Sequence, residues 1–507
     1  MESELPLLPE HVLTIEYFDV VIVGAGLSGI GAGCHVQDEC PDKSYTILEG
    51  RDSLGGTWDL FRYPGIRSDS DMHTLGYNFK PWVESKAIAD GPAILKYIKE
   101  TAAEHDLEKH IRYGHRLTGA TWSSSDAVWT LEIRRGDTDE LVHLRCNLLL
   151  MCSGYYSYEH GYLPEFKCRE RFSGDIVHPQ EWPEDLDYHN KKVVVIGSGA
   201  TAMTLIPEMA DDVDHIVMLQ RSPTYVISFP DEDLIANFLG WILPRKWAYA
   251  ITRWKNIGFQ QWIYGQTRVR PDTVKRILLR RVRKELGEDY DVEKHFSPSY
   301  NPWDQRLCLV PNSDLFAAIR SGKASVVTDQ IEMFTENGIL LRSGEELEAD
   351  IIVTATGLDL LVLGGVEFVV DGKRIDFSRT VTYKGIMNSD VPNMVSTFGY
   401  INASWTLRAD LTAKYFCRLI NHMDEVGARQ CTPRLRKEDQ DMPERPWIIG
   451  FSSGYIQRVL ESLPRQGDHE PWTNPQNYAD DKKMFRECEI EDGALVFSNP
   501  EAVDKCA

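Results

Sequence analysis

Three glycines near the start of the chain have the spacing of a phosphate-binding turn. Gly24, Gly26 and Gly29 follow an apolar run at 18–23 and open a helical stretch. The first permits a tight turn, the second lets the backbone approach a pyrophosphate, and the third lets the helix pack closely on the strand. The helix N-terminus adds free N–H groups and a partial positive charge. Glu49 follows at the distance where a carboxylate accepts ribose hydroxyls, so the segment predicts a dinucleotide site.

A second turn of the same kind lies further along the chain, after an apolar run at 193–196. Ala202 stands where the motif usually has its third glycine, and the motif accepts alanine there. Its next strand, 215–219, leads to Arg221, which stands where the first unit has Glu49. A carboxylate would repel a 2′-phosphate, whereas a guanidinium pairs with one, so we assign FAD to the first unit and NADPH to the second. The alternative for Arg221 is a solvated surface arginine. The residues of the second turn are Gly197, Ser198, Gly199, Ala200, Thr201 and Ala202.

The bulk composition limits the classes of protein to which the chain can belong. A length of 507 residues is too great for one hydrophobic core, and a net charge of −22 argues against a nucleic-acid partner. Ten cysteines without a CxxC pair favour a reducing compartment and argue against a disulfide framework or a metal site. The acidic residues at 1–11 and the lack of a long apolar run predict a cytoplasmic protein without a signal peptide or membrane span.

The order of these segments predicts an α/β fold with two Rossmann-like dinucleotide-binding domains and a helical insert in the second. A helix that follows the aromatic segment 398–410 and reaches about residue 423 should present its N-terminus to the flavin, and the tail beyond Asp492 should be frayed. The expected parts are 1–155 and 356–507 for the FAD-binding domain with the C-terminal region, 156–230 and 296–355 for the NADP-binding domain, and 231–295 for the insert.

The insert differs from the rest of the chain in charge and aromatic content. Trp241, Trp247, Trp254 and Trp262 stand six to eight residues apart, and 245–284 holds twelve Lys or Arg against one acid. In one interpretation, the helices pack their aromatic face on the nucleotide domain and roof the substrate entrance. In the other, 241–284 forms a helix pair that makes peripheral contact with anionic lipid through its tryptophans and basic side chains.

The segment 172–183 lies between the two glycine-rich turns and has the pattern FxGxxxHxxxWP, with Phe172, Gly174, His178 and Trp182 at its fixed positions. Flanked by two dinucleotide turns, it resembles the signature of Baeyer–Villiger monooxygenases. The related N- and S-oxygenases usually carry Tyr or Phe where Trp182 stands. The stretches 55–72, 301–312 and 399–411 resemble the same family, and the similarity covers about 18–497.

The resemblance implies roles for individual residues. Arg306 matches the catalytic arginine, Asp69 the carboxylate that holds it near the flavin, and His178 a residue that couples the linker to domain movement. Gln305 departs from the Lys of many members, which leaves the preference for NADPH resting mainly on Arg221. The implied FAD contacts are Gly24, Gly26, Ser28, Gly29, Glu49, Gly56, Thr57, Trp58, Asp59, Leu60 and Asp69. The implied NADP contacts are Arg67, Ser68, Asp69, the second turn, Arg221 and Ser222.

The implied reaction uses NADPH and O2. Hydride reduces FAD, the reduced flavin adds O2 to give a C4a-peroxide, and Arg306 stabilises this anion as it attacks a ketone. Carbon migration gives an ester or lactone, and thioethers can take the oxygen directly. The rival classes are an N- or S-oxygenase and a non-catalytic flavin redox sensor. A disulfide reductase is rejected because Cys34 and Cys40 are six residues apart in a predicted helix.

Overall fold

Strands and helices alternate through residues 15–500, the part of the chain that the computed structural model describes. Residues 1–11, where the sequence predicts no signal peptide, lie outside this part. The strands of the first half are β1 Glu16–Val23, β2 Tyr45–Leu48, β3 Ile111–Arg112, β4 His115–Ser123, β5 Val128–Arg135, β6 Leu141–Met151, β7 Tyr156–Gly161, β8 Asp175–Val177, β9 Lys192–Ile196, β10 His215–Gln220 and β11 Val226–Phe229. Those of the second half are β12 Cys308–Pro311, β13 Ala324–Thr328, β14 Ile331–Phe334, β15 Gly338–Leu341, β16 Glu346–Glu348, β17 Ile351–Val353, β18 Leu358–Leu360, β19 Glu367–Val370, β20 Lys373–Arg374, β21 Thr382–Tyr383, β22 Met387–Asn388, β23 Met394–Ser396, β24 Gln430–Pro433, β25 Arg445–Pro446, β26 Arg465–Gln466 and β27 Leu495–Ser498.

The helices vary from single turns to a long element in the insert. They are α1 Leu27–Glu39, α2 Thr57–Leu60, α3 Met72–Leu75, α4 Gly91–Glu104, α5 Ala200–Met209, α6 Leu234–Ile242, α7 Arg245–Val269, α8 Pro271–Leu286, α9 Val292–Phe296, α10 Asp314–Arg320, α11 Trp405–Glu425, α12 Gly454–Val459 and α13 Tyr478–Arg486. Within the described residues, no helix is both long and apolar enough to cross a bilayer.

The first sheet is built around β1, whose second half is buried on both faces. β1 pairs in parallel with β2 on one side and with β6 on the other, in the order β20-β19-β4-β5-β6-β1-β2-β3. α1 makes the crossover from β1 to β2, and α11 packs against it. The carboxyl ends of β1 and β2 therefore lie at one edge of the sheet, beside the N-terminus of α1.

The second sheet has five strands in the order β13-β10-β9-β17-β8, and every pair in it is parallel. α5 makes the crossover from β9 to β10, as α1 does in the first sheet. Two parallel nucleotide units with helical crossovers confirm the expected α/β fold class. The chain leaves the first sheet after β6 and returns after β17, and the antiparallel pair β7 and β18 lies where these two passages meet. The expected boundaries at 155/156 and 355/356 fall in these passages, whereas that at 295/296 falls within α9, and the division into domains stays a prediction.

The insert is helical, from α6 to α9, but its tryptophans do not pack inward. Between 61% and 83% of the surface of Trp241, Trp247, Trp254 and Trp262 is exposed. The interpretation in which the aromatic face covers the nucleotide domain is therefore wrong. The reason lies on the opposite face of α7, where polar side chains bind the loop and helix at 71–77.

Two local expectations need correction in the C-terminal part. α11 begins at Trp405, earlier than the expected start near Asp410, because Ser404 takes the extended conformation of a residue that precedes a helix. The tail beyond Asp492 is not frayed in its described part, since β27 pairs with β24 and Leu495 is buried. The apolar residues at 495–497 are typical of a strand, but their position near the end of the chain favoured a frayed tail.

Candidate active site

The first cavity lies at the carboxyl edge of the first sheet, against the glycine-rich turn after β1. Gly29 has no room for a side chain, since a Cβ there would lie 1.8 Å from the carbonyl oxygen of Gly24. At Gly26 the nearest atom to a Cβ is the Cα of Gly56, at 3.5 Å, and both glycines line the cavity. The backbone is thus bare where a pyrophosphate would approach, and the residues present fit a dinucleotide.

Glu49 stands at the end of β2, and only 3% of it is exposed. Its two carboxylate oxygens accept the backbone N–H groups of Ala25 at 2.8 Å and Arg51 at 2.9 Å. Burial raises the pKa of Glu49, and these hydrogen bonds oppose the shift. The carboxylate does not itself line the cavity, but each oxygen keeps a second acceptor position beside the turn. Its contact with a ribose stays a prediction.

The predicted FAD residues of the second loop separate into two groups. Ser28, Gly56, Thr57 and Trp58 line the first cavity. Two others lie outside it. The buried carboxylate of Asp59 forms ion pairs with Arg51 at 3.0 Å and Arg62 at 3.2 Å, and the side chain of Leu60 packs on the core of the second sheet. These two residues hold the loop in place, and their direct contact with FAD stays a prediction.

The second cavity follows the turn after β9 and has a volume of about 660 Å³. A Cβ at Gly197 would lie 2.3 Å from the carbonyl oxygen of Ala355, whereas a Cβ at Gly199 would meet no atom within 4 Å. Of the predicted residues of this turn, Ala202 alone does not line the cavity, because it is buried in the core of the second sheet. The residues of the prediction that line this cavity are Gly197, Ser198, Gly199, Ala200, Thr201, Arg221 and Ser222.

The guanidinium of Arg306 is the point at which the cavities meet. Arg306 lines the first and second cavities and also a third, of about 600 Å³, between the loop at 69–71, the insert and the start of α11. Asp69 lines the first and third, and its carboxylate lies 3.5 Å from Arg306 Nη1. The Asp69 charge raises the pKa of Arg306 well above its usual value, so this cation is permanent at any physiological pH.

Three tyrosines surround Arg306 that the sequence reading did not assign to the site. The hydroxyls of Tyr155 and Tyr156 are 2.6 Å apart, the ring of Tyr155 stacks on Trp405, and Tyr455 arrives on α12. Burial raises the pKa of all three, so they stay neutral. Tyr155 and Tyr156 follow β6 in a segment read only as a domain crossing. Tyr455 lies in a short helix far along the chain, for which no local motif exists.

Arg67 connects the loop of the first unit to the second sheet. Its Nη1 lies 2.6 Å from Asp314 at the start of α10, and its Nη2 donates to the carbonyl oxygen of Met203 in α5. Ser68 is buried beside it and accepts the N–H of Ser70. Both predicted residues line the first cavity next to Ala200 and Thr201 of the second turn. The first and second cavities are therefore adjacent, as hydride transfer between two dinucleotides requires.

The four signature residues lie at the crossing between the sheets, and none of them is among the described residues that line these cavities. His178 Nε2 lies 3.2 Å from the carbonyl oxygen of Gly357, and burial lowers the pKa of this imidazole. A Cβ at Gly174 would lie 2.2 Å from the carbonyl oxygen of Asp350. Phe172 and Trp182 are buried on either side of this crossing. The arrangement agrees with a structural coupling between the units.

Comparison with known proteins adds to this geometry. Residues 87–430 match the family model of flavin-binding monooxygenase-like proteins, and residues 22–85 match that of NAD(P)-binding Rossmann-like domains. The chain belongs to the flavin-binding monooxygenase-like family. This flavin monooxygenase is 53% identical to the FAD-containing monooxygenase EthA of Mycobacterium tuberculosis over 484 residues, which cover 95% of this chain and 98% of that protein. It is 49% identical to the probable FAD-binding monooxygenase AlmA of an Acinetobacter species, over 94% of this chain and 96% of that one.

Among solved structures, the monooxygenase is similar to an oxidised steroid monooxygenase bound to NADP, with a TM-score of 0.76 and 22% identity over 95% of this chain and all of that one. At that identity the likeness shows the fold. The family resemblance seen in the sequence is confirmed. The expected cofactor pair of FAD and NADP(H) is confirmed as well, because the family binds flavin, the relatives at 49–53% identity are FAD-containing or FAD-binding monooxygenases, and the similar solved structure is bound to NADP.

Proposed function

We propose that this flavin monooxygenase performs Baeyer–Villiger oxidation, inserting oxygen beside a ketone carbonyl to give an ester or lactone, and that it also oxygenates thioethers. The observation that carries the proposal is the position of Arg306, which borders both cofactor-sized cavities and the third cavity. A carbonyl in the third cavity would lie beside a permanent positive charge. When bound, the flavin takes hydride from NADPH and activates O2.

The chain's own residues supply charge and position. Attack on a carbonyl makes an oxyanion, and a fixed guanidinium stabilises negative charge there without a proton transfer. The carboxylate of Asp69 lies 3.5 Å from that guanidinium, and their attraction fixes the position of the Arg306 side chain. The same carboxylate offsets part of the positive charge. Tyr155, Tyr156 and Tyr455 surround this point with half-buried rings. Bound dinucleotides would displace water from the cavities around it, which would strengthen the electrostatic interaction.

The two dinucleotides are assigned by the groups at the ends of β2 and β10. Glu49 offers acceptors for ribose hydroxyls beside the first turn, so FAD belongs in the first cavity. Arg221 and Ser222 line the second cavity at the equivalent position, so the 2′-phosphate of NADPH belongs there. Arg458 lines the same cavity, and its guanidinium lies 3.6 Å from the ring centroid of Tyr162. It is a second cation for the nicotinamide dinucleotide.

The test of the function is Arg306→Ala. We expect the variant to bind FAD and to be reduced by NADPH at the wild-type rate, because the turns that hold the dinucleotides are untouched. Ester formation from a ketone should fall by about a hundred- to a thousandfold, the usual loss when one group that stabilises an oxyanion is removed. Oxygenation of a thioether should fall less, because that reaction develops no carbonyl oxyanion.

Arg320→Ala is the matched control, since Arg320 also pairs with a carboxylate but lies on α10 outside the three cavities. Normal ester yield in Arg306→Ala would contradict the assigned role. The second candidate, an N- or S-oxygenase, is separated by product analysis. An enzyme that converts an amine and a thioether but yields no ester from any ketone would replace the Baeyer–Villiger proposal.

A further inference from the structure

Exposed apolar side chains are concentrated on the helical insert. In the described part of the chain, twelve of the twenty-one large apolar side chains with high exposure lie between residues 234 and 277. A cluster of this size on a protein surface marks an interaction site. We call it the insert face. Its members are Leu234, Ile235, Phe238, Trp241, Ile242, Trp247, Ile251, Trp254, Phe259, Trp262, Val269 and Ile277.

The orientation of α7 is the reverse of an ordinary surface helix. Trp247, Ile251, Trp254 and Trp262 recur at helical spacing and face solvent. The side of α7 that faces the protein is polar. Arg253 Nη1 donates to the carbonyl oxygens of His73 and Gly76 at 2.8 Å, Asn256 and Gln260 both bind Asp71, and Tyr249 donates to Tyr77. A surface helix normally buries its apolar stripe. Here the polar stripe attaches the helix and leaves the aromatic stripe for another partner.

The charge of the insert identifies the kind of partner. Residues 245–284 carry twelve Lys or Arg and one acid in a chain of net charge −22, and four of the twelve are paired within the protein: Arg253, Lys255, Arg268 and Arg283. Arg245 and Lys246 are exposed and stand between Trp241 and Trp247. Basic side chains also border the aromatic group, since Arg281 lies over the ring of Phe229, which contacts Phe259. The ring of Phe259 in turn stacks on Trp262. Tryptophan and basic side chains together are the composition that binds an anionic lipid interface.

The third cavity joins this face to the site. The cavity is lined by Arg306 and Asp69 and also by Leu234, Ile235 and Phe259, which are themselves exposed members of the insert face. A molecule that enters the cavity from this side therefore passes between apolar side chains that border the solvent. A partner seated on the insert face would cover the mouth of the cavity.

We propose that the insert face docks on the surface of an anionic phospholipid bilayer and that lipophilic substrates enter the third cavity directly from it. The tryptophans lie at the headgroup boundary and the basic side chains meet lipid phosphates. The substrate class is then long-chain or polycyclic ketones and thioethers that partition into the bilayer. The second half of this statement rests on the proposed function, and the first half does not.

Flotation of the purified FAD-loaded protein with phosphatidylcholine vesicles, with and without phosphatidylglycerol, tests the docking. We expect flotation at low salt with the anionic vesicles and a large decrease with the neutral ones. Trp241→Ser with Trp254→Ser should lower binding by about tenfold or more, and Arg245→Gln with Lys246→Gln by about thirtyfold. The matched controls are Leu141→Ser, an exposed apolar residue of the first sheet, and Arg374→Gln with Arg379→Gln, two exposed arginines distant in sequence from the insert.

No flotation of the wild type, or equal flotation of the wild type and both insert variants, would overturn the docking. So would sedimentation that shows a dimer which the tryptophan variant dissociates, because the insert face would then bind a second copy of the chain. Substrate entry is tested with one water-soluble ketone and one long-chain ketone held in anionic vesicles. The tryptophan variant should keep its kcat/KM for the soluble ketone and lose about tenfold for the vesicle-held one.

Equal rates of the variant and the wild type on the vesicle-held ketone would overturn entry from the bilayer while leaving the docking intact. If the wild type oxidises neither ketone, the proposed function fails, and flotation still decides the docking by itself. Trp241 and Trp254 suit this test because they do not line any of the three cavities among the described residues.

Discussion

Replacing Asp69 by alanine separates the position of the Arg306 cation from its charge. The carboxylate of Asp69 lies 3.5 Å from Arg306 Nη1. Because a guanidinium stays protonated far above neutral pH, Arg306 keeps its charge in the variant, and loss of the Asp69 carboxylate makes the site more positive and not less. What the variant loses is the group that fixes the guanidinium at the meeting point of the cavities. The variant therefore measures how much of the activity depends on orientation.

The size of the effect follows from the exposure of the pair. Two unit charges at 3.5 Å attract by about 5 kcal/mol at an effective dielectric constant of about 20. Both side chains are about one-third exposed to the cavities, so solvent screening leaves roughly 1 kcal/mol for the stability of the fold. The effect on the reaction is larger, since a displacement of about 1 Å can cost about a hundredfold in rate. We expect kcat for ester formation to fall by about ten- to a hundredfold.

The assay compares two half-reactions of the same preparation. Anaerobic reduction of the flavin by NADPH, followed at the flavin absorbance, should fall much less than ester formation, because the dinucleotide turns are intact although Asp69 itself borders the first cavity. Ester formation in air should fall, with NADPH consumed to give hydrogen peroxide instead. Asp69→Glu should recover part of the activity. An unchanged ester yield in Asp69→Ala would refute the idea that Asp69 positions Arg306, and so would equal loss in both half-reactions.

Two further predictions concern the cofactor site and the fold. Arg221→Gln should raise KM for NADPH by about ten- to a hundredfold and leave that for NADH unchanged, since only NADPH carries a 2′-phosphate; equal effects on both would contradict the assignment. His35 is 7% exposed, and burial lowers its pKa, but hydrogen bonds with Asp410 and Glu39 raise it to about 8. Its stabilising contribution of about 2 kcal/mol is thus complete below about pH 6.5 and lost as pH rises through 8, so His35→Gln should destabilise the protein in urea at about pH 6 but much less at about pH 9.

The sequence predicted the parts of the fold whose signals are local. The turns at Gly24–Gly29 and Gly197–Ala202 each follow a buried strand and begin a helix. The strand needs apolar residues and the crowded turn needs glycines, so both signals lie within one short segment. Arg306 and Asp69 were each identified by a short family pattern, and the fold brings the carboxylate of Asp69 to 3.5 Å from Arg306 Nη1. Asp59 and Leu60 shared that pattern but support the loop from outside the cavity, because a motif records which residues recur and not which way they point.

What the sequence could not supply depends on contacts between distant segments. Tyr455 lies near Arg306 through contacts between distant segments, among them the hydrogen bond that Ser452 N donates to the carbonyl oxygen of Asp304 across nearly 150 residues. The outward position of the insert tryptophans has the same origin. Helical spacing identified an amphipathic α7, but which stripe faces the protein is decided by Asp71 and the carbonyl groups of α3, whose hydrogen bonds with α7 do not appear in a local pattern.

The most direct test of the account traces oxygen into product. The wild-type enzyme, loaded with FAD and supplied with NADPH, ¹⁸O2 and a ketone, should form an ester or lactone that carries one labelled oxygen atom. Arg306→Ala, equally yellow and equally reducible, should release the label as peroxide. A labelled ester from both proteins would remove Arg306 from the reaction, and peroxide from both, with every ketone tried, would contradict oxygen insertion itself.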